Sequence, residues 1–159
     1  MMQTGIGITA TNRQAVVTEL TKVLADETVL SFKTKNAHWN VESKDFYDKH
    51  KFFEIQFGQL DEMIDNIAER IRTLGHYAPS SLKEYLSLTH LTEQVKEKND
   101  SQDFIKELLI DHESIIISLR QNTKAFLLDF QDVVTSDFIT GLMGIHEKMA
   151  WFLRSHVHN

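Results

Sequence analysis

Apolar residues recur at intervals of three and four through most of the chain, the period of an amphipathic helix rather than of a strand. The first such run extends from about Thr11 to Trp39, with Val16, Leu20, Val23, Leu24 and Leu30 on its stripe. VES follows, and a second run carries Phe53, Phe57, Leu60, Ile64 and Ile67 as far as Leu74. Ser43 is its candidate N-cap and Gly75 its candidate C-cap, and Pro79 prevents an easy restart. SSLKEYLSL, from Ser80, predicts a short helix, and KEKNDSQ reads as a polar loop. A third long run aligns Phe104, Leu108, Ile115, Leu119 and Phe126. A fourth starts near Ser136, another candidate N-cap, and carries Phe138, Leu142, Ile145, Met149 and Phe152.

Helices of roughly 20 to 32 residues are ~30–48 Å long, and four of them bury their stripes best as a bundle. The link VES forces the first two antiparallel. The connection from Gly75 to Asp100, about 26 residues, is long enough to cross the bundle. The second and third long helices can then run parallel. The expectation is an all-α four-helix bundle with a short extra helix in one long crossover.

Composition narrows the function classes. A chain of 159 residues, 42% hydrophobic and 25% charged, suits one soluble domain. With no cysteine, disulfides, zinc–thiolate sites and cysteine nucleophiles are excluded, and a reducing compartment fits. MMQTGIGITA has neither a basic segment nor an apolar run of signal-peptide length. No apolar run approaches the ~20 residues of a membrane span. The cytoplasm is the expected location. The net charge of −6 repels phosphate backbones and attracts cations.

The candidate chemistry lies on the second helix. With His50 at 0° on a wheel that advances about 100° per residue, Glu54 falls near 40°, Asp65 near 60° and Glu69 near 100°. One face therefore carries an imidazole and three carboxylates, a donor set suited to Fe, Zn, Mn or Co. Glu54 and Asp65 are 11 residues apart, or ~16 Å along the axis, against metal–ligand bonds near 2 Å. One metal cannot take both pairs from the same helix. Either each chain holds two half-sites, or two chains meet with this helix antiparallel, and a two-fold axis makes two equivalent composite sites. His38 lies close to the start of the second helix through the short link. It can complete the histidine-rich half. A wet helix face is the commoner origin of such carboxylates, but here they are interleaved with an apolar seam.

HWNV, a second histidine twelve residues after the first, a carboxylate four later and then DEMIDNIAERIRTLG together resemble the Dps family of mini-ferritins. TSDFITGLMGIHEKMAWFLRSH is similar to the same family, and the resemblance runs from about residue 11 to 156. It implies a single ferritin-like domain over 1–159 with short flexible tails. It also implies a hollow homo-dodecamer with antiparallel two-fold dimer contacts. His38, His50 and Glu54 of one chain and Asp65 and Glu69 of its neighbour would form a ferroxidase centre. Fe(II) would be oxidised there, preferably by hydrogen peroxide and otherwise by oxygen, and stored as ferric mineral. The position of Glu54 is usually aspartate in the family, and the extra methylene can place a metal differently. Trp39 sits beside the site in the family pattern, as a radical trap or as packing at a helix end. Zinc is a possible competitor, because imidazole and carboxylate suit it too. Asp61 shares the helix face but not the family motif.

Other residues read more plainly. The Glu-x-x-His motif of larger ferritins is absent, since no histidine has Glu or Asp three positions before it. His112 and His146 read as core or interface histidines, and His156 with His158 as a frayed tail. Asp129, Asp132 and Asp137 cluster at the last link; Asp132 and Asp137 are the candidates for an iron-entry pore that the resemblance implies at three-fold axes. The alternative function is a DNA-compacting architectural protein. The first thirteen residues hold one basic side chain, and RSHVHN holds one arginine. DNA binding is therefore expected to be weak or absent at neutral pH, with protonated histidines the only gain in acid.

Overall fold

The computed structural model describes residues 4–93 and 99–157. Lys96 to Lys98 of the expected KEKNDSQ loop, and His158 of the tail, lie outside the described residues. The elements are α1 (Ala10–Asn40), α2 (Phe46–Thr73), α3 (Leu82–Leu88), α4 (Ser101–Lys124) and α5 (Val133–Ser155). Residues Ala125–Asp129 widen into a π-helical turn that continues α4.

Contacts fix the directions. The end of α1 meets the start of α2, where His38 stacks on His50. The start of α2 meets the start of α4, where Phe53 packs edge-on against Phe104. The end of α2 meets the start of α5 through Arg70 and Asp132. Hence α2 and α4 run parallel, antiparallel to α1 and α5, and the crossover containing α3 joins the two parallel helices. A backbone bond from Glu42 to Asn99 (2.8 Å) ties the short α1–α2 link to the end of the crossover.

Helix ends follow local chemistry, with two corrections. Ser43 is not the cap of α2: the helix starts at Phe46, and Asp45 occupies the capping position without a side-chain cap bond. Asp45 instead binds Lys49 at 2.8 Å, and this bond draws its carboxyl down to about 2. Ser136 is not the cap of α5: Asp132 is, and its carboxylate accepts from the Thr135 backbone N–H at 2.9 Å. Gly75 closes α2 as expected, with φ at 87°, a Gly75 N–H bond to Arg72 O and a His76 N–H bond to Ile71 O. Glycine adopts this left-handed conformation at no steric cost.

The stripes of α1 and α4 are buried as expected, and on α2 Phe53, Leu60 and Ile67 are buried while Phe57 and Ile64 are half-buried. The stripe of α5 is rotated: Ile139, Leu142, His146, Met149 and Leu153 are buried, while Ile145 and Phe152 are each 38% exposed. The cause is polar. His146 turns inward to Glu27 of α1 (Nε2 to Oε1, 2.7 Å) and to His112 of α4 (Nδ1 to Nδ1, 2.8 Å). All three side chains are fully buried. Glu27 was not anticipated from the sequence, because its position on the apolar face of α1 shows no partner until α5 is in place.

Burial, then the neighbouring His146, pushes the His112 imidazole well below its ordinary range. The unfolded chain takes a proton on this residue below about pH 6.5, whereas the native chain does not. Native stability should therefore fall as pH drops from 6.5 toward 5. In urea unfolding at pH 7 and pH 5, His112→Phe should lose less stability than the parent. Equal losses would show that His112 is not what limits the fold in acid.

Candidate metal centre

At the α1–α2 corner His38 and His50 hold each other in place. His38 Nδ1 lies 2.8 Å from the carbonyl of His50, and His50 Nδ1 lies 2.9 Å from the carbonyl of His38. A carbonyl oxygen only accepts, so each Nδ1 carries the proton. Each Nε2 then keeps a bare lone pair, the form in which imidazole binds a metal. The rings stack at 3.8 Å, flanked by Phe46 on His50 and by Phe57, edge-on, against His38. The short link sets this geometry by returning the chain before α2 begins.

Glu54, one turn after His50, is half-buried, and its Oε2 accepts from Lys51 Nζ at 2.6 Å. That bond, and then the charge of Lys51, keeps the carboxyl below its ordinary range. Glu54 is therefore ionised at neutral pH. Lys51 was not anticipated, although its position three residues before Glu54 is a standard helical ion-pair spacing.

Asp65 and Glu69 lie farther along α2 and are exposed. The structure therefore brings together His38, His50 and Glu54 and leaves Asp65 and Glu69 apart from them. Among the described residues of one chain, no group of three or more His, Cys, Asp or Glu could hold a metal ion. The spacing of the two pairs is regular: Glu54 follows His50 by four residues and Asp65 precedes Glu69 by four. A single antiparallel register of two α2 helices would set both pairs opposite each other.

The remaining candidates divide. Trp39 is 63% exposed beside His38. Asp61 accepts from Ser31 (2.7 Å) and Lys35 (2.9 Å), which ties α2 to α1. Asp137 is exposed. Asp132 is a correction: it is 1% exposed, capping α5 and paired with Arg70 at 3.1 Å. A carboxylate so committed is a structural anchor and not a solvent-facing pore group. Its position before VVTSD made it readable as a surface acid; the partner, Arg70, is 62 residues away in sequence.

The family model for a ferritin-like domain matches residues 17–159. An uncharacterized low temperature-induced protein of Nostoc sp. is 40% identical over 99% of this chain and 88% of its own length. The DNA protection during starvation protein of Helicobacter pylori is 32% identical over 84% of this chain and 92% of its own. Among solved structures, DpsC from Streptomyces coelicolor superposes with a TM-score of 0.94 at 26% identity, over 99% of this chain and 92% of that one. The Dps protein of Vibrio cholerae, described as a member of the ferritin-like diiron-carboxylate superfamily, gives 0.92 at 26%, over 99% of each chain. The chain belongs to the ferritin-like family, and within it to the Dps proteins. Its fold is the ferritin-like four-helix bundle. No helix among the described residues is long and apolar enough to cross a membrane.

The two acidic candidates at the last link should separate in a stability measurement. Removing one partner of a buried ion pair costs about 3 kcal/mol or more, so Asp132→Ala should lose about that in denaturant unfolding. Asp137→Ala, at an exposed position, should change stability by less than about 0.5 kcal/mol. Similar values for both would contradict the division between anchor and surface acid.

Proposed function

We propose that this protein is an iron-storing and iron-detoxifying mini-ferritin that works in the cytoplasm. It binds Fe(II) at sites shared between two chains, oxidises it and retains the ferric product. The observation that carries the reading is the pair of imidazoles at the α1–α2 corner, each with Nδ1 committed to a carbonyl and Nε2 left for a metal. His38 and His50 supply neutral nitrogen, and Glu54 supplies charge beside them. Asp65 and Glu69 of an antiparallel neighbour supply the opposite wall. Family membership supports the same reading.

Iron is the substrate and the cargo. Each Fe(II) gives up one electron, and hydrogen peroxide accepts two as its O–O bond breaks to give water. Peroxide is the favoured oxidant, with oxygen the slower alternative. Water then hydrolyses the ferric ions, with release of protons. The protein's part is placement. It holds iron at carboxylate and imidazole ligands whose charge offsets that of the metal, and an enclosed homo-dodecamer keeps the mineral in solution. Fe(II) must displace Lys51 from Glu54, and the longer glutamate side chain gives the carboxylate freedom to turn from one cation to the other. Trp39, exposed beside His38, is placed to intercept radicals. Asp137 would attract Fe(II) at an entry pore. Zinc, which suits the same donors, would compete. The acidic chain gives no basic footprint for strong DNA binding at neutral pH.

Anaerobic Fe(II) loading followed by stoichiometric hydrogen peroxide tests this directly. Ferric absorbance should rise quickly and the product should stay with the protein. His50→Ala/Asp65→Ala should slow the rise by tenfold or more, since each site would lose a ligand from both walls. An equal rate in both proteins, or one no faster than in buffer, would reduce the face to a structural one.

A further inference from the structure

A cavity of about 200 Å³ opens between α2 and α5, walled by Phe52, Ile55 and Phe152, with Gln56, Gln59 and Lys148 as its polar lining. It lies apart from the candidate metal ligands. On the wheel that places His50 at 0°, Ile55, Gln59, Phe52 and Gln56 fall near 140°, 180°, 200° and 240°, whereas the ligands span about 0–100°. Gln56 stands out. It is 2% exposed, and neither Oε1 nor Nε2 has a hydrogen-bond partner. An amide so buried forgoes an acceptor and two donors, a cost that an apolar side chain of similar shape avoids.

Water answers this need poorly. A well-held buried water takes two to four polar partners, and apolar walls leave it the amide and two long side chains at the mouth. Weakly held water of this kind is displaced with a gain in affinity. The terminal torsion of glutamine is broad, so the amide turns toward an occupant at little cost. It then offers an acceptor and a donor side by side, the edge that reads a nucleobase through two parallel hydrogen bonds. Phe52 and Phe152 offer aromatic surface to a planar ring. Lys148 adds positive charge at the mouth. It is exposed, its Nζ lies 5.9 Å from the centre of the Phe152 ring, and among the described residues no carboxylate pairs with it.

We propose that this cavity is a binding site for a purine mononucleotide, in which Gln56 pairs with the edge of the base, Phe52 and Phe152 contact the ring, and Lys148 receives the phosphate. Adenine matches the amide atom for atom. Its exocyclic N6 amino group donates to Gln56 Oε1, and its N7 accepts from Gln56 Nε2. Both atoms that the bundle leaves without partners are then satisfied. A bare anion would leave Oε1 unpaired, and a purely apolar ring would leave both atoms so. The cavity takes the base, while sugar and phosphate reach the mouth. Binding is noncovalent, uses α2 and α5 of one chain, and is independent of the reading of the metal ligands.

The test is equilibrium dialysis of the full chain against adenosine monophosphate, with adenosine and ribose 5-phosphate measured alongside. The nucleotide should bind with one site per chain, and adenosine several-fold more weakly. Ribose 5-phosphate should bind more weakly by about tenfold or more, the worth of a two-bond base contact. Gln56→Leu removes the amide at similar volume. It should fold at least as stably as the parent and lose about tenfold or more in nucleotide affinity. Lys148→Met should bring the nucleotide to the affinity of adenosine and leave adenosine unchanged. Absence of saturable binding to the parent would overturn the proposal, as would ribose 5-phosphate binding as tightly as the nucleotide. Unchanged nucleotide affinity in Gln56→Leu would also overturn it and make Gln56 a hydrated structural amide. The titrations of the parent and of Lys148→Met decide the matter even where Gln56→Leu does not fold.

Discussion

A metal–ligand bond is near 2 Å, while the stretch of α2 between Glu54 and Asp65 rises ~16 Å. Most of what is particular to this chain follows from that mismatch. A ferritin-like bundle can gather its metal ligands inward from facing helices. Here the candidate ligands of α2 lie along one helix, too far apart to share an ion, and the core between the helices is mostly apolar, with Glu27, His112 and His146 joined through it. Under the proposed function the metal chemistry lies at the surface of the subunit and needs a second copy, so that assembly and activity become the same event.

The fold serves this arrangement at two places. At the α1–α2 corner the link is so short that His38 and His50 fall against each other's backbone, and the two Nδ1–carbonyl bonds select the metal-binding tautomer of both rings. No carboxylate is needed behind either imidazole, because the backbone does the orienting. In the core, Glu27, His146 and His112 join three helices by hydrogen bonds with fixed geometry. Apolar packing alone tolerates a helix rotating slightly about its axis, whereas this chain does not. The rotated stripe of α5, with Ile145 and Phe152 outward, is the visible result.

The sequence made the helices, their order and the crossover legible, because three- and four-residue periodicity is strong and Pro79 and the loop residues punctuate it sparsely. It also made legible that His50 and Glu54 lie too far from Asp65 and Glu69 to share one ion within a chain, since helical rise is a property of spacing alone. The ends of α2 and α5 were less so. Ser43 and Ser136 have capping side chains, but Asp45 and Asp132 sit at the turns, and Asp132 is drawn in by Arg70 from another helix. The face of α5 was misread for a similar reason. Hydropathy placed Ile145 and Phe152 inward, while the polar bonds of His146 to residues 34 and 119 positions away decided the rotation. Long-range polar pairing of this kind leaves no local periodic signal.

The central claim is that a working site takes His50 from one chain and Asp65 from another. The most direct measurement is complementation. His50→Ala and Asp65→Ala chains are purified separately, unfolded, mixed in equal amounts and refolded together, and peroxide-driven Fe(II) oxidation is followed. Each single variant should be slow. In the mixture, every mixed two-fold pair should have one site with both walls intact, so about a quarter of all sites should recover. Activity in the mixture no higher than in either variant alone would contradict a composite site and return the ligands to a single chain.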